Sequence, residues 1–551
     1  MTRFFAIEID AYRAGAASPG GDAVWAGLEW AADPGAGTGA EDTQVVRASD
    51  MGYRTRAADA GGVVTYPATV ASAFALNRSV PLPPASPTAW AAASVTLANL
   101  GRIYDNIGRT TNVDGRSVKV LTGQKAWDGS RGYDVDPSYA ALGLAFAGIG
   151  MPWNLSEDAL EIPVRDASYW LERPLQQNVY AGTGGREGTP SLKGVVKPMA
   201  RGGGGGHGEP IRNITPRLID PVNRIYHCSD GPGWVNAVYE GGDPQILGHS
   251  SVPDLYVGVT PAGYYRLETS STGLFFQLGS KPVRQITCDV QGYFPVAGDL
   301  WNVMDIALYL MIEHMAVPLS MLDWASFNAV RDACGYPRGG WHWDEPVSGV
   351  QAVERLVSSV GAKIVPLRDG RLRCVLLAAI APGTAPTATL TSVEILNMRP
   401  VPLGLPLEPP PYRWKVGYNH NFTVQRSDLD PDVTEQRRQF LADEDSFATW
   451  ASTAVLSAYR RPNDPAPFPT ALSHEYFAQA LADRLGALWG VMPPRRVYDV
   501  DVPLDIGLPI ELGDVVLLRY PIAELDAGAL GRVVGEALRA GDSMTTLRVL
   551  V

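Results

Sequence analysis

The stretch NRIYHCSDGPGWVNAVYEGGDPQILGHSSVPDLYVGVTPAGYYRLETSSTGLFFQLGSKPVRQITCDVQGYF, residues 223–294, decides the fold. Short runs rich in Tyr, Phe, Val and Ile alternate with turn residues: Gly231-Pro232-Gly233, Glu240 to Pro244, Thr260 to Gly263 and Gly279 to Pro282. Aromatic and β-branched residues fit a pleated, half-buried surface, whereas Gly, Pro and Asp break it. The spacing predicts six strands, at 223–229, 233–240, 255–260, 263–268, 273–280 and 284–294. Strands this close together form a sandwich or barrel.

The same texture extends in both directions. Residues 3–12 alternate apolar and polar, and short strands are expected near 62–67, 94–98, 117–121 and 159–165. Residues 80–89 read as a proline-rich surface loop. Gly202 to Gly206 are five consecutive glycines, and ordering them costs more backbone entropy than a packed element returns. A linker or loop is expected there.

From 301 the pattern turns α/β. An apolar helix over 301–316 and an amphipathic one over 323–334 precede a third that opens with Ser348 and Gln351 as a capping box. Val353, Leu356, Val357 and Val360 form its stripe, and Gly361 suits its end. Asp369-Gly370 between alternating runs marks a hairpin over 363–377. Helices are expected at 432–443, 445–460 and 473–489, followed by strands at 497–504, 509–521, 531–538 and 543–551. The fold class read from these elements is α+β and mostly β: several barrel or sandwich domains plus a small α/β domain.

The chain has 551 residues, and at roughly 100–200 per domain it holds several domains. Its 58 Gly and 44 Pro exclude a coiled coil or helical solenoid. The net charge of −12 argues against a nucleic-acid binder, which needs a basic face to release counterions. The amino terminus is broken by Glu8 and Asp10 and is not read as a signal peptide. Residues 303–319 carry Asp305, Glu313 and His314, so a core helix is expected there, not a membrane span. Synthesis in a cytoplasm is the resulting expectation.

The search for chemistry assigns no catalytic residue, no cofactor-binding residue and no metal ligand. Cys228, Cys288, Cys334 and Cys374 form no CxxC pair and read as buried thiols. His474-Glu475 lacks the second His of a zinc protease. WHWDE, 341–345, gathers His342, Asp344 and Glu345 and has two readings: a metal or acid–base site, or a Trp-anchored turn whose carboxylates favour the following helix start. GTGGREG, 182–188, lacks the Lys-Ser/Thr of a phosphate cradle, and GHSS, 248–251, lacks the second Gly of a nucleophile elbow. The pairs Glu157/Asp158 and Asp443/Glu444 are ordinary in a chain with 58 acids. Fourteen Trp and 22 Tyr supply either a carbohydrate site or interface anchors.

Two stretches carry a resemblance. The first runs VTLANLGRIYDNI (95–107), VDGRSVKVLTG (113–123), LEIPVRDASYWLERPLQQNVYAGTGGREG (160–188), LKGVVKPMARG (192–202), NITPRLIDPVNRIYHCSDGP (213–232) and VYEGGDP (238–244). It resembles the tail tip proteins of long-tailed bacteriophages. The second, RWKVGYNHNFTVQ (413–425), FLADE (440–444), PIELGDVVLLRYP (509–521), GRVVGEAL (531–538) and TTLRVLV (545–551), is similar to the carboxy-terminal part of phage tail hub proteins. The resemblance implies a non-enzymatic structural virion protein of the baseplate or tail tip. In such hubs two tube-like β domains per subunit continue the tail tube, and three subunits make a pseudo-sixfold ring.

The domains expected on this basis are a tube-like β-rich domain at 1–200, a Gly-rich linker at 201–210 and a β meander at 211–300. An α/β domain at 301–397, a proline-rich joint at 398–412 and a carboxy-terminal α+β domain with closing barrel strands at 413–551 complete the chain. The expected assembly is a homotrimer, with a homohexameric distal ring as the alternative. The expected partners are the distal tail ring, the tail tube and fibre or tip proteins, with DNA only in transit through the lumen during host cell entry. A negative lumen would keep DNA from sticking to its wall. Rival readings are a receptor-binding adhesin using the 211–297 meander, and a cell-wall hydrolase.

Overall fold

The computed structural model describes residues 2–13, 43–71, 75–83, 92–203, 209–292, 301–522, 524–539 and 543–551. Strand outweighs helix, 40% to 19%, in several curled sheets, so the chain is a mostly β, multidomain α+β protein.

The amino-terminal strand Thr2–Arg13 is the penultimate strand of the first sheet, antiparallel to the end strand Thr43–Ser49 on one side and to Ser117–Asp128 on the other. Its alternation is apolar on both faces. Phe5, Ile7, Ile9 and Ala11 enter the main core, while Phe4 and Ala6 meet Tyr53, Tyr66 and Leu121. The sheet continues through Gly143–Gly150, Ala159–Arg165 and Ala92–Ala98. Residues 67–71 then connect its two ends. Thr69 and Val70 donate backbone N–H groups to the Ser49 carbonyl, and Ala71 donates to Thr96. This closes the sheet into a barrel without exposed edges at that seam.

The second sheet orders its strands as Arg217–Asp220, Ile225–Ser229, Gly273–Leu278, Tyr264–Ser270, Asp243–Ser251, Gly233–Glu240, Ile286–Gly292, Met199–Gly202 and Gly340–Trp343. Asp243–Ser251 runs parallel to Tyr264–Ser270; the other pairs are antiparallel. The strand expected at 255–260 is not one, and Asp243–Ser251 takes that place in the sheet. The buried Arg266 explains the difference. Its guanidinium donates to the carbonyls of Leu255, Val257 and Gly258 and to Thr260 Oγ1, so these carbonyls are satisfied without a ladder. Of the glycine stretch, residues 204–208 lie outside the described residues; Gly202 pairs with Gly292 and Gly340. Residues 84–89 of the proline-rich loop also lie outside them.

Between the sheets packs an α/β layer. Helix Val303–Tyr309 continues as a π turn over Leu310–His314, and Trp324–Ala333 follows. Helix Gly349–Ser358 starts with the Ser348–Gln351 capping box, both hydrogen bonds present. The hairpin Ala362–Pro366/Leu372–Leu376 turns at Gly370, whose φ of 84° suits glycine. Residues 446–451, expected to be helical, form a strand antiparallel to Arg413–Tyr418. A propensity reading weighed SFATWA too lightly: its aromatic and β-branched content favours a strand. Trp450 then lies against helix Glu475–Trp489, where a Cβ on Gly486 would come 2.2 Å from its ring.

The carboxy-terminal sheet orders Ala388–Leu390, Val515–Leu518, Ala529–Arg539, Met544–Leu550, Val497–Pro503 and Asn397–Val401. One strand of this sheet comes from far away in sequence. Ala75–Ser79 leaves the amino-terminal barrel and pairs antiparallel with Gly535–Arg539. Leu76 and Leu538 then enter the barrel core together with Leu504.

The pairing carries a charge cluster. Arg78 donates two hydrogen bonds to Glu536 and one to the Pro366 carbonyl, and it pairs with Glu511 at 3.0 Å. Arg368 donates to Glu536 and to the Leu508 carbonyl, and its backbone N–H donates to Glu511. Arg78, Arg368 and Glu536 are all buried. Burial alone pushes the Glu536 carboxyl up, but Arg78 and Arg368 outweigh it and hold it below the usual carboxylate range. Removing one partner of such a cluster leaves a buried charge uncompensated. Glu536→Gln is therefore expected to cost about 3–5 kcal/mol of stability in denaturant titration. A loss below about 1 kcal/mol would show that the cluster does not hold the sheets together.

Candidate functional site

The stretches that stand out in the sequence are used structurally. In WHWDE, Trp343 enters the central core and Trp341 stacks on His420 at 4.7 Å. His342 is buried between strands, while Asp344 and Glu345 are exposed, Asp344 still within electrostatic reach of the ring. GTGGREG is a loop fixed by ions. Arg186 pairs with Glu268 and Asp254, and Lys197 pairs with Glu187 at 2.8 Å. His474 caps its helix through Nδ1, accepting from the Tyr476 N–H. Residues 248–251 lie in the strand Asp243–Ser251. The four cysteines are free thiols; Cys228 and Cys288, far apart in sequence, meet across the second core at 3.7 Å.

Three histidines share one physical state. His227, His314 and His342 are each pushed down to about 4, and burial is the largest cause in all three. His227 accepts from the Tyr180 hydroxyl at Nδ1 and donates from Nε2 to the Ser229 carbonyl, the pattern of a neutral ring. Arg201 adds to the effect at His314.

Two surfaces and one cluster remain as candidates for function. Beside the buried Arg78–Glu536 pair opens a cavity of about 560 Å3 lined by Asn77, Ser79, Arg399, Asp499, Arg539 and Arg548. Its charges are largely paired: Arg548 and Arg399 both bind Asp499, and Arg399 also reaches Asp501. The second surface is the ribbon formed by the end of Ser117–Asp128 and Tyr133–Val135. It projects from the barrel with Trp127 64% and Tyr133 54% exposed. Large exposed aromatics on a stiff two-stranded ribbon have the chemistry of an interface anchor.

The cluster is His420, Glu444 and Asp445, whose ligand-type atoms lie within 4.8 Å of one another. His420 Nδ1 is 2.9 Å from Asp445 Oδ1. The sequence shows Asp443/Glu444 only as an ordinary acidic pair, because the histidine lies on another strand end. A second acidic group, Asp243, Asp430 and Asp432, holds its own cation: Arg284 pairs with Asp430 at 2.6 Å.

No family model matches the chain, and no curated protein matches it. Solved structures similar to it are tail proteins. The tail protein from Neisseria meningitidis MC58 is 11% identical at a TM-score of 0.33, covering 90% of this chain and 94% of that one. The 43 kDa tail protein of prophage MuSo2 from Shewanella oneidensis is 9% identical at a TM-score of 0.32, covering 89% and 96%. The prophage tail protein gp18 from Listeria monocytogenes EGD-e is 9% identical at 0.29, covering 87% of each chain. At these scores the functional reading rests on the chain's own architecture and motifs.

The histidines give a pH prediction with a definite sign. Unfolded, each ring takes up a proton near pH 6.5; folded, only near pH 4. Between those values the unfolded state binds more protons, so stability falls as pH falls from 6.5 to 4. The loss is at most about 3 kcal/mol per ring. Thermal melts across pH 7 to 4.5 are expected to show a steady fall in Tm, less steep in His342→Gln. A Tm that stays level down to pH 5 would contradict neutral burial.

Proposed function

We propose that the chain is a structural protein of the bacteriophage tail tip or baseplate: a hub subunit whose three copies form a ring that continues the tail tube. One observation carries this reading. Of the three large sheets in a single chain, the two at its ends in sequence are fused side by side through the strand Ala75–Ser79. Three such chains supply six β domains, which matches a sixfold tube with a threefold subunit. Closed rings of this kind need head-to-tail contacts that differ on the two faces of each subunit. Two non-identical β domains provide such faces.

The motif resemblance supports the same role: its first stretch runs from the amino-terminal sheet into the central one, and its second ends on the carboxy-terminal sheet. The remaining domains then lie outward, available to the distal ring and to fibre or tip proteins. The loop 254–260 suits such a contact: Val257 and Val259 are 68% and 87% exposed, while Arg266 holds the backbone beneath them. DNA passes through the lumen without a binding stripe, consistent with the acidic balance of the chain. The reading is non-enzymatic, and it places the protein in the virion after synthesis in the host cytoplasm.

Quantitative mass spectrometry of purified particles, counting this chain against the tail-tube protein, tests the proposal. Three copies per particle are expected. Six would replace the trimeric hub with a hexameric ring, and absence from the particle would refute a virion role. The ribbon supplies a finer test. Trp127→Ala is expected to weaken ring or neighbour assembly by about 2 kcal/mol, read as lost incorporation into particles, with the monomer's Tm unchanged. Full incorporation of the variant would remove the ribbon from the interface.

A further inference from the structure

We infer that His420, Glu444 and Asp445 form a divalent metal site, with Zn2+ as the ion that fits best. The inference is independent of the tail-tip reading and rests on how the site is built. Strands Arg413–Tyr418 and Ser446–Ala451 pair up to Tyr418 and Ser446, and between these partners the chain makes the long excursion 419–445. The three candidate ligands stand at the mouth of that excursion: His420 on the way out, Glu444 and Asp445 on the way back.

The backbone there is already fixed. The Asn421 N–H donates to the Glu444 carbonyl at 2.7 Å, and its side-chain amide donates to the carbonyls of Phe440 and Asp443. The imidazole is fixed as well. Trp341 stacks on it at 4.7 Å with 26° between the planes, and Phe422 meets it edge-on at 4.6 Å. Such clamping sets the direction of a metal ligand before the ion arrives. Nδ1 faces Asp445 Oδ1 at 2.9 Å, and Glu444 is exposed, free to close the remaining distance.

The donor set selects the ion. One imidazole nitrogen and two carboxylate oxygens match zinc, with water as a fourth ligand, better than they match Mg2+ or Ca2+, which prefer all-oxygen shells. Two carboxylates neutralise the ion's charge. Arg355, 4.5 Å over Trp341, lies within electrostatic reach of both and supplies the counter-charge when no metal is bound. On binding, zinc takes the Nδ1 lone pair and the ring proton sits on Nε2. His420 also borders a cavity of about 20 Å3 with Glu209 and Ser473 in its wall, room for one water. In this role the metal fastens the two ends of the excursion to each other.

The test uses the untagged full chain, stripped with chelator and titrated with Zn2+ alone by calorimetry, with bound metal counted by elemental mass spectrometry. One zinc per chain is expected, undiminished by a hundredfold excess of Mg2+. His420→Gln and Glu444→Gln are each expected to weaken binding by at least about tenfold. Glu444 is exposed, so its variant keeps the fold and isolates the ligand role. No uptake of zinc by the stripped chain would overturn the inference. So would zinc that binds equally well to both variants, or that Mg2+ displaces.

Discussion

The charge cluster of the buried Arg78, Arg368 and Glu536 with the half-buried Glu511 is the constraint on which the rest of the structure depends. It lies where three parts of the chain meet: the crossing strand Ala75–Ser79, the turn after Ala362–Pro366, and the carboxy-terminal sheet. Arg368 also reaches the barrel, since its carbonyl accepts from the Ala147 N–H. An apolar contact would tolerate sliding of one sheet on another. Two guanidinium forks sharing one carboxylate do not, because any shift leaves a buried charge unpaired. The cluster therefore fixes the register of a pairing between residues more than 450 positions apart in sequence.

That rigidity matters for the proposed role. A ring subunit transmits its geometry to its neighbours, so the angle between its two β domains must be set within the chain. The apolar contacts of Leu76, Leu504 and Leu538 supply attraction across the junction, and the charges supply its position. The perturbed histidines are held neutral by burial, Arg186 and Arg266 brace loops, and in the cavity beside the junction Arg399 and Arg548 are bound to Asp499. Perturbed titration marks functional sites only as a tendency, and here burial in cores accounts for it.

What the sequence revealed was local. The Ser348–Gln351 box, the Asp369-Gly370 turn and the alternation of residues 3–12 each depend on neighbours within a few positions, and each forms as read. What it hid was long-range. Nothing in ALNRS (75–79) announces a partner in GEALR (535–539), since a β-ladder needs only compatible edges and has no code for distance. Residues 255–260 read as a strand because LYVGVT is a short β-branched and aromatic run beside a turn signal, but Arg266 satisfied the carbonyls of Leu255, Val257 and Gly258 first. The cluster of His420 with Glu444 and Asp445 was invisible for a related reason. Its spacing reflects the length of an excursion, not the periodicity of one helix or strand.

Hydrogen–deuterium exchange of the full chain tests the central claim, that a strand of the amino-terminal domain is an integral member of the carboxy-terminal sheet. Peptides covering residues 75–79 and 529–539 should exchange together, at the slow rate of a single cooperative unit. If residues 75–79 exchange rapidly while 529–539 stay protected, the two β domains are not locked to each other and the account of a rigid double-domain subunit fails.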